Sequence, residues 1–600
     1  MQRIWLGLLL FLVSVKLCLA GNIQKVIDKL INQVDPNINI GVDIVDLRTG
    51  ENLYHRNPQR AYIPASNMKL FSEAAALMVL GPDYRFKNHL STNAAVIENG
   101  VLKGSLYLHL PGDPSLKHDH IYSMLEQLNH WGIKSIEGNV VLVSANRFIN
   151  AYAPGWMVED LKYSYGAPLA PVILDENRLT VIINPTHQAG KPALVELKDQ
   201  NTSLFVNNQV KTKKKSGSCG IDYHMSHDNR LTVRGCIGLG QWAVQQGIAI
   251  RNPLLYAQEI IKLQLAKLRI KLNGEVVLGS SPKKTMLLAT HQSKPVSQLL
   301  ADALKPSDNL YADSLYLHAA AKLHGGPANW EHAKTSIKQF LQQQTGIDLG
   351  SAVLNDGSGL SRYDQLTPQQ TVELLQFLHE RFPLAYEFIA ALPIAGYDGT
   401  LQKRFRKPKQ QGLLRAKTGT MTGVVSLSGY LYTANAHILA FAIYINGTPG
   451  SRSAGAGRYR YLIDAVCDYF LTYKPQHRAV NMPQNPHGRV AFQNRPTQAE
   501  LQRDKYMRWR RMESAMKKEL AGQAVSVLFR DNQLALLDDN ADPNLVWAKL
   551  IQLNQKYPFA VALQGEQPPR QVSSAPLFLW QKGKSAEARR TWIIHEVLTF

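Results

Sequence analysis

From Met68 to Leu80 the chain is apolar at almost every position, Ala74-Ala75-Ala76 included. A run with no polar face predicts a helix buried on all sides. Ahead of it, within residues 22–82, the pattern predicts a first helix and then an alternating strand from Ile40 to Leu47, turning at Thr49-Gly50. From about 83 to 285 the pattern becomes strand-rich, with helical periodicity at about 119–131 and 253–268. Beyond that, Ser307-Asp308-Asn309 opens a helix running to about Leu323. Thr367-Pro368-Gln369-Gln370 supplies a threonine N-cap, a proline in the first turn and a glutamine three residues on. Residues 413–420, 425–433 and 437–446 read as successive strands, the last two parted by Ala434-Asn435-Ala436, which is a β-meander. Residues 458–473 then carry an amphipathic helical pattern.

A chain of 600 residues exceeds one hydrophobic core. The stretch 481–496, rich in Pro, Asn and Gln, reads as part of a linker. It is followed by a basic helix pattern at 497–520, holding Arg503, Lys505, Arg508, Arg510 and Arg511 beside Met507, Trp509 and Met512. Strand-like 525–537, a helix at 543–556, and strands at 559–564, 577–581 and 590–597 complete a small α+β domain of unassigned role. At the other end, a basic start, a short apolar core from Ile4 to Val13 and the small residues before Gly21 predict a signal peptide cleaved near Ala20, and hence a periplasmic protein.

Sixty-seven Lys and Arg against 46 Asp and Glu give a formal charge of +21. The charge is scattered and no nucleic-acid motif accompanies it, so nucleic acid is not the expected partner. For an exported protein, an anionic wall polymer or membrane surface suits it better. The run Lys211–Lys215 reads as a solvated loop. Cys219 and Cys236 flank a hairpin-like stretch and would form a disulfide in an oxidising compartment, whereas Cys467 reads as a buried thiol. His118-Asp119-His120 reads as a surface turn; no metal and no cofactor is expected.

The candidate chemistry lies in three short elements in fixed order: Ser66-Asn67-Met68-Lys69, Ser307-Asp308-Asn309 and Lys417-Thr418-Gly419. Singly each is uninformative. Together they are the S-x-x-K, S-x-N and K-T-G elements of penicillin-interacting serine acyltransferases. Ser66 falls in the first turn of the buried helix, where the dipole favours developing negative charge, and Lys69 lies one turn on. A lysine buried near a second cation loses its proton near neutral pH and serves as a base. Gly419, lacking a side chain, would let a substrate backbone pair along its strand edge.

Asn355-Asp356-Gly357-Ser358-Gly359-Leu360-Ser361-Arg362, Gly112-Asp113-Pro114-Ser115-Leu116 and Tyr165-Gly166-Ala167-Pro168 extend the match. With them the chain resembles, over roughly residues 22–475, the class C low-molecular-mass penicillin-binding proteins, the D-Ala-D-Ala carboxypeptidase/endopeptidase family. The resemblance implies an α/β fold: a penicillin-binding/β-lactamase-like transpeptidase domain, an antiparallel sheet flanked by helices. A large β-rich insertion would interrupt that domain and an α+β domain would follow it. The corresponding boundaries are 1–20 (signal peptide), 21–82 and 289–475 (catalytic), 83–288 (insertion, two subdomains), 476–496 (linker) and 497–600 (C-terminal domain).

It also implies roles. Ser66 would attack the D-Ala-D-Ala carbonyl, Lys69 take its proton, Ser307 pass a proton to the leaving amine, and Asn309 hold a substrate amide. Lys417 and Thr418 would bind the terminal carboxylate beside Gly419, with the backbone N–H groups of Ser66 and Thr420 as oxyanion hole. Asp160, Tyr165 and Arg362 would grip a diaminopimelate head group, near Thr422. The implied partners are peptidoglycan peptides and β-lactams. The alternative on the same machinery is a β-lactamase or a D-amino-acid esterase or aminopeptidase. The separation of 241 positions from Ser66 to Ser307, and the lack of an E-x-x-L-N element, argue against a β-lactamase.

Overall fold

The computed structural model describes residues 23–473, apart from 145–149, 199–203, 215–218, 382–383 and 449–454. Beyond 473 it describes the backbone of four strands. The expected signal peptide, the linker, the helices at 497–520 and 543–556 and the strand at 577–581 lie outside the described residues.

Alternation in the meander builds the central sheet. Strands Leu414–Met421, Val424–Tyr432, Ile438–Asn446, Asn39–Asp46 and Asn52–Arg56 lie in that order, every pair antiparallel. The inner strands Val424–Tyr432 and Ile438–Asn446 are apolar and buried along almost their whole length because both faces of the sheet are covered. On one face Ile40, Val42, Leu427 and Phe441 pack against Ile27 and Ile31 of the 23–34 helix and against Ile463 and Phe470 of the helix Gly455–Thr472. On the other, Tyr430, Ala442 and Tyr444 meet a helical layer. That layer holds Met68–Leu80, Val296–Leu304, Asn309–His324, Trp330–Thr345 and Pro368–His379. The Thr367 cap forms as its sequence predicts: the Thr367 hydroxyl accepts from the Gln370 N–H at 3.0 Å, and the Gln370 side chain accepts from the Thr367 N–H at 3.0 Å.

The insertion has its own core. Strands Val276–Leu278, Val140–Ser144, Leu106–Leu110, Lys87–Thr92 and Met286–Gln292 form a mixed sheet in that order, over which helices His118–His130 and Pro253–Lys267 pack. Two three-stranded sheets share the same apolar cluster. Because Met286–Gln292 pairs antiparallel with Lys87–Thr92, the segment leaves and returns on adjacent strands and the catalytic sheet closes undisturbed. Cys219 and Cys236 are disulfide-bonded, with Cα atoms 4.9 Å apart, and Cys467 is a buried free thiol. Two expectations need correcting. Lys211 to Lys213 belong to the strand Val206–Lys213, with Thr212 turned inward, rather than to a loop. His118 starts a helix and sits against Asp175, 3.0 Å from its Oδ1, rather than in a free turn.

The second unit, His477–Phe600, has a four-stranded antiparallel sheet. Its order is Val525–Arg530, Gln533–Asp538, Arg590–Val597 and Phe559–Leu563.

Candidate active site

The Ser66 segment is set by a strained turn. Ala65 has φ +48°, and Ala65–Asn67 forms a single 3-10 turn before the helix begins at Met68. This leaves Ser66 half-buried at the helix mouth and Lys69 fully buried behind it. Lys69 Nζ donates to Ser66 Oγ (3.1 Å), Asn309 Oδ1 (2.6 Å) and the Ser358 carbonyl (2.8 Å). Burial lowers its pKa, against the opposing pull of Asp313, Asp356, Asp308 and Glu73. Asn309 is thus a brace: its other side-chain atom, Nδ2, donates to the Tyr165 carbonyl at 2.8 Å.

Ser307 lies just before its helix at φ +66°, a left-handed conformation that few non-glycine residues adopt. Asp308 caps the helix, accepting from the Tyr311 N–H (3.1 Å), and also accepts from Arg178 Nη1 of the insertion (2.7 Å). Lys417, fully buried on the edge strand, donates to Ser307 Oγ (2.8 Å) and the Thr418 carbonyl (2.8 Å). Burial, then the neighbouring Lys69, push its pKa well below the usual lysine range. Thr418 Oγ1 donates to Thr400 Oγ1 at 2.8 Å. Ser66 and Ser307, each backed by a buried lysine, therefore line one cleft of about 270 Å³ with Tyr165, Asn309, Leu360 and Thr420.

Packing against the Ser66 turn also requires glycine at position 419. A Cβ there would collide with Ser426 Oγ on the paired strand and lie 2.8 Å from the Pro64 carbonyl and 3.0 Å from Asn67 Nδ2, so glycine lets the Ser66 turn sit directly on the strand.

Around the mouth, Tyr165 donates its hydroxyl to Asp160 Oδ1 (3.0 Å), and Arg362 Nη1 donates to the Thr422 carbonyl (2.6 Å). Behind it, buried carboxyls hold the 355–362 loop. Asp313 Oδ1 accepts from the N–H groups of Gly357 and Ser358 (2.8 Å each). Asp356 accepts from those of Gly359 (2.6 Å) and Ser361 (2.8 Å) and from the Trp156 indole (2.8 Å). Asp364 accepts from Asn355 N–H at 2.8 Å. Burial raises Asp313 and Asp364 well above the carboxylate range. This shell fixes the carbonyl of Ser358 that receives Lys69. The sequence reading missed it, along with Glu73 and Arg178; single acids inside the apolar runs 68–80 and 309–324 were the signal.

A model of the D-Ala-D-Ala carboxypeptidase 3 (S13) family matches residues 23–460. The chain belongs to that family. Among S13 relatives, it is 31% identical over 446 residues to the D-alanyl-D-alanine carboxypeptidase DacB of Haemophilus influenzae, covering 74% of this chain and 92% of that protein. It is 31% identical over 429 residues to the D-alanyl-D-alanine carboxypeptidase of Actinomadura sp. strain R39, covering 68% of this chain and 78% of that one. The crystal structure of penicillin binding protein 4 (dacB) from Haemophilus influenzae superposes with TM-score 0.69 at 30% identity, over 74% of this chain and 99% of that one. The same protein in complex with a β-lactam gives 0.64 at 29% identity. The S13 fold is therefore the penicillin-binding/β-lactamase-like one that the three motifs imply.

Proposed function

We propose that this S13 protein is a D,D-carboxypeptidase/endopeptidase that cleaves D-Ala-D-Ala termini or D,D-cross-links of peptidoglycan through an acyl-enzyme on Ser66, and that β-lactams acylate the same serine. The pairing of Ser66 with Lys69 and of Ser307 with Lys417 across one cleft carries this reading. Lys69, its charged form disfavoured by burial, accepts the Ser66 proton as the oxygen attacks the penultimate D-Ala carbonyl. The oxyanion is met by the backbone N–H groups of Ser66 and Thr420, each donor of this kind contributing about 3–4 kcal/mol. The proton passes through Ser307 to the leaving amine. Lys417 and Thr418 hold the terminal carboxylate, and water then frees the acyl group.

Asp160, Tyr165 and Arg362 supply charges of both signs at the mouth, a match for the zwitterionic end of a diaminopimelate side chain. The Cys219–Cys236 bridge favours an oxidising compartment, consistent with export to the periplasm behind the N-terminal segment. The charge of +21 suits an anionic wall polymer or membrane surface as a further partner. Incubation with a peptidoglycan pentapeptide ending in D-Ala-D-Ala should release free D-Ala, and Ser66→Ala should release none. Equal release by the two proteins would remove Ser66 from the reaction.

A further inference from the structure

Glu73 lies on the Ser66 helix, one turn beyond Lys69 and two beyond Ser66. It is completely buried, and neither carboxylate oxygen has a hydrogen-bond partner among the described residues. A buried acid left without donors is destabilising and is found where its charge has a use. Its electrostatic neighbours are Lys69, Lys417 and Asp308. Lys69 has other acids around it, in Asp313, Asp356 and Asp308. Lys417 does not: Glu73 is the acid that acts on it, against its own burial and the positive charge of Lys69.

We propose that Glu73 is the internal counter-charge of Lys417, a positioning residue that keeps the carboxylate clamp cationic as the pH rises. This rests on the reading that Ser66 and Lys417 carry the reaction. Burial pushes the Glu73 carboxyl up to about 8, so it is neutral below that pH and leaves Lys69 free to act as base. Above that pH Glu73 ionises, and its negative charge opposes the loss of the Lys417 proton that burial and Lys69 favour.

The test is the rate of acylation by fluorescent penicillin, which carries the carboxylate that Lys417 would bind, in the full chain between pH 6 and 10. Glu73→Gln keeps the shape without the charge, and Glu73→Leu suits a helix that is apolar all round. An opposite charge at close range moves a pKa by about 1–3 units. Both variants should therefore show the alkaline limb moved down by about one pH unit, a roughly tenfold lower ratio of the pH 9 to the pH 7 rate. A purely structural role would alter melting temperature and leave the limb in place. Limbs coinciding with wild type in both variants would overturn the proposal while leaving the Ser66 assignment intact. Absence of any adduct on Ser66 in the wild-type chain would overturn the assignment beneath it.

Discussion

Gly359→Ala probes how tightly the nucleophile is held. Gly359 has φ +77°, and a Cβ added there would collide with the Ala65 carbonyl, 2.5 Å from its carbon and 3.0 Å from Met68 Cβ. The left-handed conformation alone costs an alanine about 1–2 kcal/mol. The collision adds more, because its partner is backbone: no rotamer change relieves it, and overpacking of this kind typically costs about 1–3 kcal/mol. The expected destabilisation is therefore about 2–5 kcal/mol. The peptide that must yield is the one joining Ala65 to Ser66, and Ala65 is already held at φ +48°. A displacement of an ångström at the nucleophile lowers its reactivity about 100-fold. The control is Gly346→Ala at the end of the helix Trp330–Thr345, with φ +73° and nothing within 4 Å of its added Cβ. That variant should lose only the conformational part and label with fluorescent penicillin at the wild-type rate. Urea unfolding and labelling kinetics on both proteins decide the matter. If Gly359→Ala costs no more than Gly346→Ala, or acylates normally, the Ser66 turn is not positioned by the 355–362 loop.

Other expectations follow from buried groups. The Glu73 carboxyl is raised from 4.5 to about 8 in the folded chain, so its contribution to stability is full below pH 4.5 and is lost as pH rises through 8. Glu73→Gln should accordingly gain on wild type across that window, by up to about 5 kcal/mol at its top; a constant difference between pH 4 and 8.5 would contradict a raised pKa. Asp313, whose carboxyl burial pushes up, should tolerate Asn within about 1 kcal/mol, whereas Asp313→Ala strands the Gly357 and Ser358 N–H groups at about 1–3 kcal/mol each. Equal losses in denaturant titration would count against a raised Asp313 pKa. Asn309→Ala removes the brace on Lys69 and should slow penicillin acylation about 10- to 100-fold, the equivalent of one hydrogen bond to a charged group. An unchanged rate would show that Ser66 and Ser358 suffice to hold the lysine. Reducing Cys219–Cys236, a closure over 17 residues, should lower stability by about 3 kcal/mol without slowing acylation, since the bridge lies in the insertion.

What the sequence disclosed and what it hid divide along the range of the interactions. The Ser66 helix, the meander and the Thr367 cap rest on contacts within a few residues, and their pattern is legible as written. So were the paired serines and lysines, because their chemistry requires those residue types in that order. Hidden were matters decided between distant segments. The antiparallel return of Met286–Gln292 onto Lys87–Thr92 closes the insertion, yet neither strand's composition names its partner. Asp313, Asp356 and Asp364 are ordinary acids until folding buries them under one loop. At Gly419 the atoms that exclude a side chain are Ser426 Oγ on the paired strand and, from more than 350 positions earlier in the chain, Pro64 and Asn67. Lys211 to Lys213 looked like a solvated run because their lysines are exposed; the inward Thr212 between them makes the segment a strand.

The proposed reaction depends on Ser66 as the acylated nucleophile. The direct measurement is peptide mapping by mass spectrometry after incubation with benzylpenicillin. A penicilloyl adduct on the Ser66 peptide, absent from Ser66→Ala of wild-type stability, is the predicted result. An adduct on another residue, or labelling of the alanine variant at the wild-type rate, would contradict it.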